Sequence, residues 1–435
     1  MTRWTVLALV GLGLLAACGS KRAGDTQTGD ALSVARLSDT HYLGAPVAVQ
    51  NLTVWPVFAD TPLEIGNFLT LQEAQRQKLA VVREAGGGAQ QTAVVNDDGA
   101  GQQERVQVQN RERLRRLVQE LAEESGANDE TVREIVQELE VAGVATVGQL
   151  VIENKGDLPI LVCAGTVVTG GNQDRQIGQD FVIQAKTTVP VDAFCVEHGR
   201  WSGTRNGVAT DGLFVAAEYV ATKGVRLKGQ HEKDQSGVWQ AVATVNASRA
   251  LASRASDVPV EAYEATVAFG VASSGSLAAS QELASDEAKR QDAALGKSVR
   301  EHFTAAGKDD MRLVGFAYAI DGKPVSVRTF AHKRIFEGQF GAFVRTMCME
   351  ADVARQEAKK KGAEPVTKIA SADDLIAMVR SIDEAEETID KTTAGNDNGY
   401  KKAVLGYNSN CYFKLDVNGD GKLVRVALTR DWSVK

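Results

Sequence analysis

Two apolar runs joined by a tight-turn dipeptide constrain the fold more than any other feature of this chain. In "RLVGFAYAIDGKPVSVRTFA" (Arg312–Ala331), Asp321 and Gly322 separate the two runs. Because Asp and Gly suit the positive φ angles of a two-residue turn, the segment predicts a β-hairpin. A second hairpin is predicted near the C-terminus, in "CYFKLDVNGDGKLVRVALTR" (411–430). Two such hairpins favour an antiparallel sheet.

Several segments between and beside the hairpins have the apolar spacing of helices. Helices are predicted near 238–255, 277–303, 336–360 and 372–390. The last of these is preceded by Ser371, which with Asp374 has the spacing of a capping box. Long helices interleaved with hairpins predict an α+β fold with a largely antiparallel β-sheet core, and not a doubly wound sheet.

A loop and a helical pair interrupt the strand pattern between residues 83 and 145. Residues 83–104 are rich in Gly, Gln and Asp and predict a loop. Apolar residues then recur twice at i, i+3, i+4 and i+7, as Leu114, Leu117, Val118 and Leu121 and as Val132, Ile135, Val136 and Leu139. The helices of residues 105–142 are either an arm that binds a protein partner or an inserted helical hairpin packed on its own domain.

The N-terminus has the order of features found in exported, lipid-anchored proteins. "MTRWTVLALVGLGLLAACGS" has Arg3, a short apolar run, small residues and then Cys18. Its end resembles the lipobox of bacterial lipoproteins, which implies cleavage, lipidation of Cys18 and membrane attachment through acyl chains, palmitate among them. Gly19 in place of Asp favours the outer membrane, facing the periplasm. The alternative is an ordinary secretory signal with a chance cysteine.

These features divide the chain into three regions. Residues 1–18 form the signal peptide with its lipobox cysteine, and residues 19–45 are polar without a sustained period, which predicts a flexible tether. Residues 46–435 form the α+β domain, which contains the insertion at 83–145. The localisation expected from this organisation is the bacterial cell envelope.

Composition argues against several classes of function. The formal net charge is −7 and no Lys/Arg-rich run occurs, so nucleic acid is not an expected partner. The five histidines are scattered, and neither a zinc pattern nor a phosphate loop is present, so no metal and no cofactor is predicted. "DVNGDG" (416–421) begins like a calcium loop, but Ala427 stands at the twelfth position, so the segment predicts a turn.

If the protein is exported, the four remaining cysteines can form disulfides. Disulfides persist in oxidising compartments, so Cys163 with Cys195 and Cys348 with Cys411 are candidate pairs. Four buried free thiols are the alternative. Cys195 shares the parity of Val191 in a predicted strand, so its side chain is expected to point inward.

Two segments resemble a known family. They are "ENKGDLPILVCAGTVVTGGNQDRQ" (153–176) and "CVEHGRW" (195–201). Both are similar to elements of the ARG and Rhodanese-Phosphatase-superfamily-associated protein domain family, first variety, and the similarity covers most of residues 50–350. The chain departs from the family pattern at Thr166, where an acidic residue is usual, and at His198, where glutamine is usual. The resemblance implies no particular reaction.

The matching positions provide a candidate binding site, made of Asn154, Gln173, Arg175, Glu197, Arg200 and Trp201. One hypothesis is a lipid-anchored protein that binds a ligand or partner. A second is a hydrolase-like enzyme in which Glu197 serves as base and the arginines hold an anion. The second requires these groups to converge on an open cleft, and burial of Glu197 against an arginine would indicate a structural role. A thiol enzyme using Cys195 and His198 is a third hypothesis, weakened because the two side chains leave a strand on opposite faces.

Overall fold

A computed structural model describes residues 26–28, 35–85, 148–198, 200, 203–251, 275–279, 286–364, 366, 369–391, 396–416 and 422–435. Within these residues the chain forms six helices and mostly antiparallel strands, which confirms the predicted α+β class. None of the described helices is both long enough and apolar enough to cross a membrane.

The strands, in chain order, are β1 (Thr26–Thr28), β2 (Ala35–Arg36), β3 (His41–Leu43), β4 (Val47–Val49), β5 (Leu52–Ala59), β6 (Leu69–Thr70), β7 (Ala80–Glu84), β8 (Gln149–Asn154), β9 (Ile160–Val162), β10 (Thr166–Gly170), β11 (Arg175–Ile177), β12 (Phe181–Ile183), β13 (Thr188–Cys195), β14 (Thr204–Arg205), β15 (Val208–Ala209), β16 (Leu213–Val220), β17 (Leu313–Ile320), β18 (Lys323–Phe330), β19 (Glu387–Lys391), β20 (Asp397–Lys402), β21 (Gly406–Asp416) and β22 (Leu423–Val434). The helices are α1 (Leu71–Arg76), α2 (Lys223–Gln230), α3 (Gln235–Leu251), α4 (Asp286–Gly307), α5 (Lys333–Lys360) and α6 (Ala372–Asp383).

The strands divide into a large open sheet and a small barrel. The open sheet has 11 strands, with β1-β4-β5-β17-β18-β22-β21-β20-β19 in order, β3 also paired with β5, and β2 paired with β3. The barrel closes through β10-β11-β13-β8-β7-β16. A short sheet of β12, β9 and β6 contains the parallel pair β6–β9, while all other described pairs are antiparallel. Barrel and sheet are therefore distinct units that α5 and α2 connect.

Both faces of the open sheet are covered by helices. Because side chains alternate along a strand, β17 directs Phe316 to one face and Ala317 to the other. Phe316 packs against Phe340 and Phe343 of α5, and Ala317 belongs to the cluster that α6 covers. A third apolar cluster, which includes Val82, Ile152 and Val191, fills the barrel.

Both predicted hairpins are present. β17 and β18 pair around Asp321 and Gly322, whose φ angles are 51° and 74°. β21 and β22 pair as the C-terminal hairpin. Its turn (417–421), which includes most of the calcium-loop-like motif, lies outside the described residues.

The predicted insertion connects two neighbouring strands of the barrel. β7 and β8 are antiparallel partners, with Arg83 opposite Val151 and Glu84 opposite Leu150. The segment between them therefore leaves and re-enters the barrel at one place. The predicted helical pair at 105–142 lies outside the described residues.

Two of the predicted segment boundaries were wrong. The predicted tether of residues 19–45 already contains β2 and β3, and Leu37 and Leu43 are buried there against the sheet. The helix predicted at 372–390 ends at Asp383, and β19 follows it. Ser371 caps this helix by accepting a hydrogen bond from the backbone N–H of Asp373.

Candidate functional site

Glu197, which was proposed as a catalytic base, is buried and forms an ion pair with Arg200. Arg200 donates from Nε to Glu197 Oε1 at 2.8 Å and from Nη2 to Oε2 at 2.7 Å. The backbone N–H of Asp174 donates to the same Oε2 at 2.9 Å. Glu197 is only 6% exposed, and this two-point contact is the strong geometry for an arginine and a carboxylate. Its lone pairs are therefore directed at protein groups.

Asp174 is the centre of this arrangement, although it was not among the site residues predicted from the sequence. Its fully buried carboxylate accepts from Arg205 at 3.2 Å, from Arg200 at 3.3 Å and from the Ser276 hydroxyl at 2.7 Å. It also accepts from the backbone N–H of Gly170 at 3.0 Å. We call Asp174, Glu197, Arg200 and Arg205 the ionic cluster. The cluster fixes the loop after β10 to the segment after β13.

Arg175 and Gln173 lie next to the ionic cluster but face the barrel. Arg175 donates from Nη1 to Gln173 Oε1 at 3.1 Å and to Cys195 Sγ at 2.8 Å. Both side chains are buried, Arg175 completely. Burial raises the pKa of the Cys195 thiol, although the Arg175 charge opposes that effect. The thiol is thus kept protonated, which argues against a nucleophilic Cys195.

Asn154 has a structural role at a corner of the chain. Its side-chain amide donates to the carbonyls of Leu158, Ile183 and Gln184 at 2.9–3.1 Å. Its Oδ1 accepts from the backbone N–H of Gly156. Since these bonds use the whole amide group, Asn154 stabilises the turn from β8 to β9 and does not reach the ionic cluster.

Trp201 and His198 are the two remaining residues of the motif that the sequence singled out. Trp201 lies outside the described residues. His198 is exposed and packs edge-on against Trp239, with 4.7 Å between the ring centroids. The predicted site therefore unites Glu197 with Arg200 and Gln173 with Arg175, but not around an open cleft. The hydrolase-like arrangement proposed from the sequence is corrected to a buried ionic cluster.

The proposed disulfides are also corrected. Cys163, Cys195, Cys348 and Cys411 are all buried and free. Cys195 is directed at Arg175, whereas Cys163 belongs to the cluster between α5 and the sheet, so the pairing proposed for these two is absent. Burial raises the pKa of the Cys163 and Cys348 thiols to about 12.

An open cleft lies elsewhere, between the barrel and the two longest helices. It has a volume of about 870 Å³, within the usual range for ligand sites. Small residues from both helices line the cleft and leave its space open. They are Ala293 and Gly296 on α4 and Gly338, Gly341 and Ala342 on α5. Gly341 has no atom within 4 Å of the place where a Cβ would lie, so the cleft is open above it.

The charged residues that line this cleft are mostly cationic. Five are basic (Arg76, Arg249, Lys289, Arg300 and Arg345) and two are acidic (Glu218 and Asp292). Arg345 pairs with Glu218 at 2.6 Å, and Arg249 pairs with Asp292 at 3.0 Å. Arg76, Lys289 and Arg300 are exposed and have no ion-pair partner within the part of the chain that the structure describes. We call these three side chains the unpaired cations of the cleft.

The sequence contained a weak sign of this cleft. Lys289, Ala293, Gly296 and Arg300 are spaced at i, i+4, i+7 and i+11 and share one face of α4. A helix face with two small residues between two cationic ones does not specify its neighbours, because those neighbours come from α5, α1 and β16. The cleft therefore became visible only in three dimensions.

Comparisons with known proteins agree with the family suggested by the motifs. The model of the ARG and Rhodanese-Phosphatase-superfamily-associated Protein domain matches residues 118–424. A search of curated proteins and a search of solved structures each found no match. The matched range contains both the ionic cluster and most of the cleft.

Proposed function

This chain belongs to the ARG and Rhodanese-Phosphatase-superfamily-associated Protein domain family. We propose that it is a lipid-anchored envelope protein that binds an anionic ligand in the cleft between α4 and α5. The family name states no reaction, so the proposal depends on the geometry of the site. The observation that carries it is the group of unpaired cations around a hollow lined by glycine and alanine.

The charge of the whole protein strengthens this interpretation. With a formal net charge of −7, the average surface repels anions. Three cations that have no ion-pair partner among the described residues, gathered in one concave place, create a local attraction that concentrates and orients an anionic ligand. They come from two separate helices, Arg76 from α1 and Lys289 and Arg300 from α4, and all three line the cleft. The small residues between them leave room for the uncharged part of the ligand.

Filling the cleft is expected to weaken anion binding without unfolding the protein. In Gly341→Trp, the new ring occupies open space on an exposed helix face, and helix propensity improves by several tenths of a kcal/mol. The fluorescent anion 8-anilinonaphthalene-1-sulfonate is a suitable probe because it combines a sulfonate with an apolar ring. We expect Gly341→Trp to bind it at least about tenfold more weakly, a difference of roughly 1.4 kcal/mol.

The matched control is Gly224→Trp. Gly224 is also an exposed helical glycine with no atom near its virtual Cβ, but it lies on α2 and does not line the cleft. This variant should bind the probe as the wild type does. Equal affinity in the wild type and Gly341→Trp would contradict the proposed site.

The membrane attachment is proposed from the lipobox, which lies outside the described residues. We propose that Cys18 carries the lipid and that the protein faces the periplasm from the outer membrane. Cys18→Ala should move the protein from the membrane fraction to the soluble fraction of cells, because two or more acyl chains supply the attachment and about 0.8 kcal/mol comes from each buried methylene. Fractionation with antibody detection measures this. Cys18→Ala protein that stays in the membrane fraction would exclude the lipid as the anchor.

A further inference from the structure

We infer that one end of the open sheet lies against the membrane, with the turn between β20 and β21 inserted among the lipid headgroups. This inference rests on the proposed lipid at Cys18, because that lipid determines which part of the domain lies near the membrane. It adds a second membrane contact, which the folded domain makes itself and which is separate from the anion site in the cleft.

The proposed lipid is attached only eight residues before the first described strand. β1 begins at Thr26. An extended chain covers at most about 3.5 Å per residue, so Thr26 lies within about 28 Å of Cys18. The end of the open sheet at which β1 begins is therefore held near the surface into which the lipid inserts. We call it the anchor end.

The strand register shows which other elements lie at the anchor end. Neighbouring strands of the open sheet are antiparallel, so strand starts and strand ends alternate along it. The pairings place the following residues there, in the order of the strands: Thr26, Val49, Leu52, Ile320, Lys323, Val434 and Gly406. Because Gly406 begins β21, the turn from β20 to β21 belongs to the anchor end.

This turn exposes two apolar side chains. Val404 is 88% exposed, the largest fraction for a large apolar side chain in the described part of the chain, and Leu405 is 50% exposed. Hydrogen bonds fix the turn, since the backbone N–H of Ala403 donates to Gly406 O at 2.9 Å and that of Lys435 donates to Leu405 O at 3.2 Å. An ordered turn that presents apolar side chains to water, at the end of the sheet nearest the lipid, suits insertion into the headgroup region.

Lysines surround the apolar turn and extend along the anchor end. α5 runs towards this end, since Arg355 donates to Asn51 Oδ1 in the turn from β4 to β5 at 3.0 Å, and its last residues continue beyond that contact. The exposed lysines at the anchor end are Lys323, Lys359, Lys360, Lys361, Lys402 and Lys435. Such side chains can place their ammonium groups among lipid phosphates while their stems follow the apolar side chains inwards.

The two faces of the sheet differ in charge near the anchor end. On one face α5 ends in its three consecutive lysines, and the next exposed acidic residue is Glu364. On the other face, the exposed acidic residues of α6 and of the segment after it are Asp373, Asp374, Glu384 and Glu386. The α5 side is therefore the more basic, and it faces anionic headgroups more closely than the α6 side does.

A fluorescent label at position 404 tests the contact in the lipidated full chain. In Val404→Cys, nitrobenzoxadiazole can be attached selectively, because the four cysteines of the described residues are buried and the Cys18 thiol would carry the lipid. In vesicles of phosphatidylcholine with about 30% phosphatidylglycerol, the label should lie about 5–10 Å deep in the interface. Its emission should rise at least about twofold, and a nitroxide on the lipid should quench it strongly.

The matched control is Val208→Cys with the same label. Val208 is 69% exposed, but it lies on β15, which pairs with β14 and does not belong to the open sheet. The nitroxide lipid should leave its emission unchanged. Both positions are exposed valines, so thermal unfolding of the two labelled proteins should match that of the wild type.

The outcomes separate this inference from the proposed anchor. Equal, weak quenching at positions 404 and 208, in protein that floats with the vesicles, would overturn the inference and leave the anchor standing. Protein that does not float with the vesicles would overturn both. High emission at position 404 without quenching would show that a protein surface covers the turn, either a partner or a second copy of the chain, and would also overturn the membrane contact.

Discussion

Replacing Arg328 with methionine is expected to destabilise the protein by about 3–5 kcal/mol, since it leaves the buried Asp180 carboxylate without its cation and removes one of the two arginines that pair with Asp431. Arg328 is 1% exposed on β18. It donates to both oxygens of Asp180 at 2.7 and 2.8 Å and to Asp431 at 3.0 Å. Methionine retains much of the packing volume but none of the charge. The loss therefore reports on the ion pairs and not on a cavity.

The position of this network explains why its loss should be large. Asp431 on β22 also accepts from Arg226 of α2, and Asp180 immediately precedes β12. One buried group of charges thus joins the open sheet to α2 and to the short sheet beside the barrel. Removing its central arginine weakens the contact between the open sheet and the short sheet.

Urea unfolding at neutral pH, followed by circular dichroism, measures the effect. Arg312→Met is the control, because Arg312 pairs with Asp310 at the surface and should contribute no more than about 1 kcal/mol. A loss below about 1 kcal/mol in Arg328→Met would contradict the account, because it would show that these buried pairs contribute no more to stability than a surface pair does.

The acid sensitivity of the fold is expected to depend strongly on His231. This ring stacks on Tyr407 with 4.6 Å between centroids and meets Tyr400 edge-on at 5.6 Å. Burial lowers the pKa of His231 from 6.5 to about 3, assisted by Arg226 and Lys233 and opposed by Asp431. The folded protein therefore keeps this imidazole neutral at pH values where the unfolded chain protonates it.

The direction of the pH effect follows from this depressed pKa. Below pH 6.5 the unfolded state binds a proton that the folded state does not, so the free energy of unfolding falls as the pH falls from 6.5 towards about 3. The slope is about 1.4 kcal/mol per pH unit, which gives roughly 2–3 kcal/mol by pH 4.5. His231→Phe should keep the aromatic packing and remove this part of the acid loss.

Urea unfolding of wild type and His231→Phe at pH 7 and pH 4.5 measures the difference. All other titrating groups, including His41 with its pKa lowered to about 4 by burial, are common to both proteins and cancel in the comparison. The variant should lose about 2–3 kcal/mol less between the two pH values. An equal loss in both proteins would exclude His231 as a source of the acid sensitivity.

The parts of the fold that local chemistry specifies were predictable from the sequence. Asp321 and Gly322 set a turn by their own φ preferences, and the alternation in 188–195 placed Cys195 inward as predicted. The barrel was not predictable, because β7 and β8 pair across a long insertion and β10 pairs with β16 across more than forty residues. Such pairings depend on side-chain packing between distant segments.

In the site, too, local features were predictable from the sequence and contacts between distant segments were not. The motif identified Glu197 and Arg200 as neighbours, three positions apart, but it could not show that each satisfies the other. Asp174 was missed because a lone aspartate in a loop does not reveal that two arginines and a serine converge on it. The cleft was missed because its unpaired cations come from two helices far apart in the chain.

The salt dependence of 8-anilinonaphthalene-1-sulfonate binding tests the anion site most directly. Wild-type protein and the triple variant Arg76→Gln, Lys289→Gln and Arg300→Gln would be titrated with this probe between about 0.01 and 1 M salt, where screening of exposed charges becomes nearly complete. The anion site predicts that wild-type affinity falls steeply with salt, while the triple variant binds weakly and with little salt dependence. Equal affinities and equal slopes for the two proteins would show that the cations of the cleft do not bind anions.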